Sequence, residues 1–388
     1  MLPSSFGPPS WLVGRGKAMS DGLYTSDDLL KGYDRARPET FVQTWDFEQF
    51  IAYSKGGGPA PRKIRQAIRQ ARHDAEISHA LGKYLRKQTK ALGFAPKLVA
   101  VMGGHSLDRN TAAYRLVADI ARDLTNHGFL IVTGGGPGAM EAGHVGAYFA
   151  KAPDAVYEAA IKTLSNKTVA HLPASLGQIL DKNGDLAPNQ EAAYADAARW
   201  LNAALAARDL FKGPIGESLA IPTWLYGSEP TTPFATAYAK YFENSIREET
   251  LVAEGKTGTL YAQGGGGTVR EIFQGVEHDY YAPDATSFSP MIFVDPDGFW
   301  QRDAAYTAKG IVTTPGVKLD AVVPAVLKYG LNRMKEPDRS ACESKVLFSV
   351  KLDEIRALLD GHAPTAQLRL GLLLKGAPAN LLSTHWLQ

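Results

Sequence analysis

Residues 261–271 read Tyr-Ala-Gln-Gly-Gly-Gly-Gly-Thr-Val-Arg-Glu, and their flanks fix a strand, a glycine turn and a helix in that order. The run Thr259-Leu260-Tyr261-Ala262 is short and apolar, as a buried strand is, and Ile272, Phe273 and Val276 follow at the spacing of one helix face. Gly264, Gly265, Gly266 and Gly267 therefore stand at a strand-to-helix corner. Without a Cβ they let backbone N–H groups approach a bound group closely. A helix starting near Thr268 adds unpaired amides and the positive end of its dipole. Two readings fit: an anion site of the phosphate-binding kind, and a tight turn closed by a Thr268-x-x-Glu271 capping box.

The chain carries a second corner. Phe129-Leu-Ile-Val-Thr133 runs into Gly134-Gly135-Gly136-Pro137-Gly138-Ala139-Met140-Glu141. Pro137 is tolerated in a first helical turn, and a helix is expected from there, through Ala139, to about Phe149. Two such corners in one sheet predict a single crevice at the carboxyl ends of adjacent strands, where open α/β sheets bind ligands. Upstream, Leu98–Met102 reads as a strand ending in Gly103-Gly104-His105-Ser106. Thr111–His127 follows as a helix with Ala113, Leu116, Val117, Ile120 and Leu124 inward. The β-α-β-α unit implies parallel strands with a right-handed crossover. The fold class expected is α/β: a Rossmann-like doubly wound parallel sheet with helical N- and C-terminal extensions.

The extensions bracket a core at 97–300. Residues 1–96 read as mostly helical after a loosely docked Gly/Pro/Ser-rich start. Arg62 to about Leu92 is the main helix, with Ile64, Ile68, Ile77, Leu81 and Leu85 as its apolar positions. Between Lys55 and Lys97 there are eleven Lys or Arg against two acids, Asp74 and Glu76. Such a stretch suits a polyphosphate ligand, nucleic acid, or a solvated face; the last is favoured, because no interleaved aromatics support base stacking. Within the core, about 151–188 reads as an insertion and Gln190–Leu210 as a helix. Ser218–Pro222 is a third strand, Thr232–Ala253 mostly helix, and Pro290–Val294 a fifth strand. From 301 to 388 helices alternate with loops.

Composition closes off several functions. Cys342 is the only cysteine, which excludes an intrachain disulfide and a cysteine-based zinc site. The nine histidines show no metal-ligand spacing, and Glu277-His278-Asp279 reads as a solvated helix end. No metal or cofactor is expected. No apolar run approaches a membrane span, and the start lacks a signal-peptide core, so a cytoplasmic protein without membrane partners is expected. A formal net charge of +2 argues neither way on nucleic acid; none is expected as a partner.

Three ligand readings compete for the glycine turns. Gly134-x-Gly136-x-x-Ala139 matches a dinucleotide fingerprint, with Asp154 twenty residues on. That fingerprint, however, belongs at the end of the first strand of its unit. A P-loop fails because no Lys-Ser or Lys-Thr follows either run. The third reading is a mononucleotide site, with glycine turns around one phosphate and a carboxylate near the sugar.

At these residues the chain resembles the LOG (Lonely Guy) family, in its longer variant. The family pattern P-G-G-x-G-T-x-x-E matches Gln263–Glu271 except at its first position, where Gln263 replaces proline. Thr133–Ala147 resembles the T-G-G-G-P-G-x-M-E-A variant, and Gly103–Ser106 occupies the place of the first nucleotide-facing loop. The family's M-H-x-R-K aligns with Asn244–Glu248, which keeps only Arg247. The resemblance covers roughly Lys97–Trp300, not the ends or the insertion. It implies a homodimer or higher homo-oligomer and hydrolysis of the N-glycosidic bond of nucleoside 5′-monophosphates to free base and ribose 5-phosphate. Arg247 and Glu271 are its implied catalytic pair. Its implied substrate- and phosphate-binding set is Gly103, Gly104, His105, Ser106, Gly134, Gly135, Gly136, Gly138, Met140, Glu141, Gly264–Gly267 and Thr268.

The chemistry suits those residue types. Ribosyl cleavage passes through an oxocarbenium-like state that a carboxylate stabilises, and water needs a base. Family members are also described as lysine decarboxylase-like, but no lysine stands in either glycine motif to form a Schiff base. A non-catalytic nucleotide sensor or cofactor carrier is the alternative; it would not need the Arg247–Glu271 pair.

Overall fold

Leu98–Met102 and Phe129–Val132 are unbroken apolar runs, and the structure explains why: each lies in a strand covered on both faces. A computed structural model describes residues 22–166, 179–301, 306–308, 311–314 and 318–376. Among the described residues the first helices are α1 (Ser26–Leu29), α2 (Trp45–Lys55) and α3 (Ile64–Leu92). The core follows as β1 (Lys97–Met102), α4 (Ala112–Asn126), β2 (Phe129–Thr133), α5 (Ala139–Tyr148), α6 (Asp154–Leu164), α7 (Glu191–Asp209), β3 (Ser218–Ala220) and β4 (Ala237–Tyr238). It continues with α8 (Asn244–Glu254), β5 (Gly258–Tyr261), α9 (Gly266–Tyr280) and β6 (Met291–Phe293). Then come the hairpin β7 (Tyr306–Ala308) and β8 (Ile311–Thr314), α10 (Leu319–Leu331), α11 (Asp338–Glu343), β9 (Val346–Phe348) and α12 (Leu352–Leu374).

Seven strands form one parallel sheet in the order β4-β3-β2-β1-β5-β6-β9, flanked by helices, which is the Rossmann-like doubly wound architecture. The chain winds outward from β1 to β4, then returns to β5 on the other side of β1. The order therefore reverses between β1 and β5, and the carboxyl ends there form the crevice such sheets offer a ligand. Leu98–Met102 of β1 and all of β2 are buried, the continuous apolar pattern of strands covered on both faces. The Thr111 hydroxyl caps α4 by accepting the Tyr114 amide at 3.1 Å. Ala113, Val117, Ile120 and Leu124 turn inward at helical spacing, as expected, while Leu116 is only partly buried. Helix α5 packs on α4 so closely that a Cβ on Gly146 would stand 2.1 Å from the Ala118 carbonyl oxygen.

Three expectations change. Thr232–Ala253 is not mostly helix: helix begins only at Asn244, and the segment before it runs extended. Its Ala- and aromatic-rich residues, Ala235, Ala237, Tyr238 and Tyr241, are buried on a sheet edge. Tyr238 exchanges backbone bonds with Tyr24 at 2.9 and 3.0 Å. Continuous burial produced a pattern that a helix shares. The segment after 300 is not only helices and loops, because β9 pairs with β6 and forms the sheet edge. Residues 22–85 dock tightly on the core: Asp74 accepts the Phe242 and Glu243 amides at 2.9 and 2.8 Å. Finally, Ile77, Leu81 and Leu85 of α3 are buried, but Ile64 and Ile68 are 74% and 60% exposed. The first turns of that helix run past the core. The N-terminal residues 1–21, and 167–178 of the expected insertion, lie outside the described residues.

Candidate active site

Three glycine loops meet at the carboxyl ends of β1, β2 and β5. Strands β2 and β5 are not adjacent to one another; each flanks β1, and the β1 loop joins them. Gly104 N donates to the Gln263 carbonyl at 2.8 Å, and Ala139 N to the Gly104 carbonyl at 3.1 Å. Gly138 has φ +70° and a Cβ there would stand 2.2 Å from the Gly104 oxygen, so both backbone and space require glycine. Gly103, Gly104 and Gly264 are crowded by the neighbouring loops in the same way: a Cβ on Gly264 would meet Thr268 Oγ1 at 2.1 Å and Gly104 N at 2.7 Å. Gly265, Gly266 and Gly267 differ. They are exposed, and a Cβ on any of them would meet nothing within 4 Å. Their amides open α9, whose first turn has no intrahelical acceptors.

No capping box forms. Gly265 is the N-cap of α9 and no side chain caps it. Thr268 lies in the third helical position, 4% exposed, and Glu271 lies deeper. Because the helix begins two residues earlier than expected, Glu271 is free of a capping role and faces α8. There Arg247 Nη1 lies 3.6 Å from Glu271 Oε1, with both side chains largely buried. Arg247 Nε donates to the Ile221 carbonyl at 2.8 Å, and its Nη2 lies over Gly134, 2.1 Å from where a Cβ would stand. Arg247 thus spans from the second glycine loop to the helix that follows the third. The surface pair with Glu248 or Glu249 does not form: Glu248 pairs with Arg270 at 2.9 Å. Burial pushes the Glu271 carboxyl up to about 7, against the pull of Arg247.

The remaining sequence-singled residues divide. The Met140 thioether lies across the second loop, its Sδ 2.6 Å from a Cβ position on Gly134 and its Cε 2.9 Å from one on Gly136. His105 and Ser106 stand exposed at the rim. Glu141 faces away from the crevice: Arg109 Nε and Nη2 each donate to its carboxylate at 2.7 Å, and Tyr114 Oη at 2.9 Å, all fully buried. It braces the β1 loop rather than the crevice. Gln263 Nε2 donates to Asp297 at 3.0 Å.

Sequence reading missed three contributors. His144 on α5 bridges Thr133 Oγ1 at 2.8 Å and Ser218 Oγ at 2.9 Å, and Thr133 Oγ1 accepts the Gly135 amide at 2.9 Å. Burial lowers this imidazole to about 3, so it is a neutral strut under the second glycine loop. Lys240, 2% exposed, pairs with Asp46 of α2 at 2.7 Å. Asp46 also accepts Trp224 Nε1 at 2.9 Å and Thr231 Oγ1 at 2.8 Å, fixing the loop whose Thr232 amide donates to Gly135 O. Glu229 of that same loop reaches Gly136 and His105. Only its place in a Gly/Pro-rich connection between strands could have flagged it.

The fold and this convergence define a class: a Rossmann-like α/β protein with three glycine loops meeting at the topological switch point of its sheet. No protein-family model matches the chain, and no curated protein matches it at a significant level. Among the described residues no group of three His, Cys, Asp or Glu is placed to hold a metal ion, and no helix is long and apolar enough to cross a membrane. Asp279 is buried rather than solvated and accepts the Ser289 amide at 2.8 Å. A cavity of about 40 Å³ between Lys256, Asp279 and Pro290 lies at the opposite, amino end of the strands.

Proposed function

We propose that this chain is a phosphoribohydrolase of the LOG type, cleaving the N-glycosidic bond of nucleoside 5′-monophosphates with water to give free base and ribose 5-phosphate. The observation that carries the reading is the Arg247–Glu271 pair beside the open amides of α9. The amides of Gly265–Thr268 suit a phosphate, since they carry the positive end of the helix and no Cβ obstructs them. Glu271 stands on the same helix, so a ribose tethered by its phosphate there comes within reach of its carboxylate.

As the C1′–N bond breaks, the electron pair leaves with the base and positive charge builds on the ribose. An ionised Glu271 stabilises that charge and takes one proton of the attacking water as its oxygen bonds to C1′; that proton then passes to the departing base nitrogen, which leaves the base neutral and Glu271 ionised again. A carboxyl titrating near 7 suits a base working at neutral pH. Arg247, tethered to the Ile221 carbonyl, holds Glu271 toward the crevice and keeps its carboxylate from rising further. What favours an enzyme over a nucleotide sensor is that this pair stands open at 3.6 Å beside the α9 amides, whereas the structural pairs Arg109–Glu141 and Lys240–Asp46 are closed at 2.7 Å. The test is incubation with a panel of nucleoside monophosphates, measuring free base and ribose 5-phosphate. Release of both in equal amounts is expected; binding without release would replace this reading with the sensor.

A further inference from the structure

Glu229 is a second carboxylate at the crevice, beside Glu271, whose side chain makes no hydrogen bond among the described residues. Its side chain is 23% exposed, and His105 Nδ1 stands 3.4 Å from Oε1, beyond a well-formed hydrogen bond. The backbone holds it there. Glu229 N donates to Tyr226 O at 3.0 Å, and three residues on Thr232 N donates to Gly135 O at 3.3 Å. Between them Thr231 is tied to the buried Asp46. The carboxylate leans over Gly136, where a Cβ would stand 3.6 Å from Oε2. Burial raises its pKa, while His105, Arg247 and Lys240 oppose that. A carboxylate accepts up to four hydrogen bonds when ionised, and Glu229 spends none of that capacity on a protein side chain or amide. A rigid loop holding such a group over a glycine floor is built for donors that come with a ligand.

We infer that Glu229, with His105 beside it, accepts hydrogen bonds from the 2′- and 3′-hydroxyls of the ligand's ribose and makes the site specific for ribonucleotides over deoxyribonucleotides. This rests on the phosphoribohydrolase reading for the placement of the ribose. Arg247 interacts with both Glu271 and Glu229. If C1′ stands beside Glu271, the group one bond away from it that bears a donor is the 2′-hydroxyl. The far edge of a base lies beyond. Two hydroxyls on neighbouring carbons match the two oxygens of one carboxylate, and an acidic side chain on the ribose hydroxyls is a recurrent solution in open α/β sheets. A hydrogen bond to the 2-hydroxyl also strengthens as charge develops in glycoside cleavage, so Glu229 acts on turnover as well as affinity.

The test uses the full chain. Calorimetry compares ribose 5-phosphate with 2-deoxyribose 5-phosphate on the wild type, Glu229→Gln and Glu229→Ala. Release of base from ribo- and deoxyribonucleoside monophosphates of adenine, guanine and uracil is measured alongside. The wild type is expected to bind the ribo sugar about tenfold or more tightly, the effect of a lost charge-assisted hydrogen bond, and Glu229→Ala to bind both at the deoxy level. Equal binding of the two sugars by the wild type, or a ribo preference kept by a folded Glu229→Ala, overturns the inference. A variant that changes preference among bases while keeping the ribo preference reassigns Glu229 to the base and also overturns it. Ribo-selective binding without base release from any nucleotide leaves this inference standing and removes the hydrolytic reading. Base release with no ribo preference does the opposite. If Glu229→Ala does not fold, the wild-type sugar comparison and His105→Ala, expected to weaken ribo preference, decide it.

Discussion

Arg247 Nη1 and Glu271 Oε1 face each other at 3.6 Å across the crevice, 8% and 13% exposed. That is longer than the 2.7–2.9 Å of a charge-assisted hydrogen bond. The two are held by charge without closing on each other, so both keep hydrogen-bonding capacity for a water or a substrate oxygen beside them. The separation is set by scaffold rather than by the pair: Arg247 is tethered through Nε to the end of β3, and Glu271 rides on α9.

Glu271→Gln keeps the size of the side chain and removes its charge. Turnover is expected to fall on the order of a hundredfold or more, the usual loss when a transition-state charge loses its preorganised partner. Nucleoside monophosphate binding is expected to persist, because the α9 amides are untouched. Base release, calorimetric binding and melting temperature on the one variant check it. Near-normal base release by a folded Glu271→Gln protein would remove Glu271 from the chemistry.

The same carboxyl gives a stability signature. Its folded pKa of about 7 stands above the ordinary 4.5, so between those values the native state binds the proton more tightly than the unfolded chain. Stability from this group is full below about pH 4.5 and is lost as pH rises through about 7. The loss is on the order of 3 kcal/mol when ionisation is complete. Glu271→Gln removes this dependence. Urea unfolding at pH 5 and pH 8 is expected to show a smaller decrease with pH for the variant than for the wild type; equal decreases would contradict the burial of the charge.

Much of this arrangement was legible in the residues, and the reasons are local. Strands β1 and β2 are buried on both faces, so their apolar runs name them without tertiary knowledge. The glycine corners are visible because φ > 0 and close loop contacts admit no other residue at Gly138. The capping box failed by a register of three residues, since it needs Thr268 as N-cap and the N-cap is Gly265: four glycines give no side-chain signal for where α9 begins. Glu141 looked like part of the ligand loop, since nothing in the sequence shows that Arg109, thirty-two positions away, and Tyr114 bind its carboxylate. Lys240 with Asp46, and His144 with Ser218, join positions far apart in the chain. Such pairs have no spacing to read.

Asp46 and Lys240 tie the N-terminal helices to the loop above the second glycine turn. Asp46→Ala leaves the Lys240 ammonium buried at 2% exposure without its partner, and also strips an acceptor from Trp224 and Thr231. A loss of about 3–5 kcal/mol is expected. The double variant Asp46→Leu with Lys240→Met removes both charges and is expected to recover a large part of it. Urea midpoints of the three proteins measure this. A double variant as unstable as Asp46→Ala would mean that the Trp224 and Thr231 bonds, not the ion pair, dominate.

Two glycine-to-alanine changes separate packing from ligand approach. A Cβ on Gly134 would stand 2.1 Å from Arg247 Nη2 and 2.6 Å from Met140 Sδ. Arg247 cannot simply swing aside, because its Nε is held by the Ile221 carbonyl at 2.8 Å. Gly134→Ala is therefore expected to displace the guanidinium from Glu271 and lower turnover by tenfold or more. Without the nearby positive charge the Glu271 pKa rises, so the residual activity shifts to higher pH. Gly266→Ala meets no protein atom within 4 Å and sits in the first turn of α9. The folded protein is expected to keep or gain stability, by about 0.4–1 kcal/mol, since alanine restricts the unfolded chain. If the amides of that turn hold a phosphate, the added methyl group stands where the ligand approaches, and nucleoside monophosphate affinity falls at least tenfold. Melting temperature and calorimetric binding distinguish the outcomes. A Gly266→Ala protein that is at least as stable and binds nucleotide as well as the wild type would show that the first turn of α9 is not where the phosphate sits.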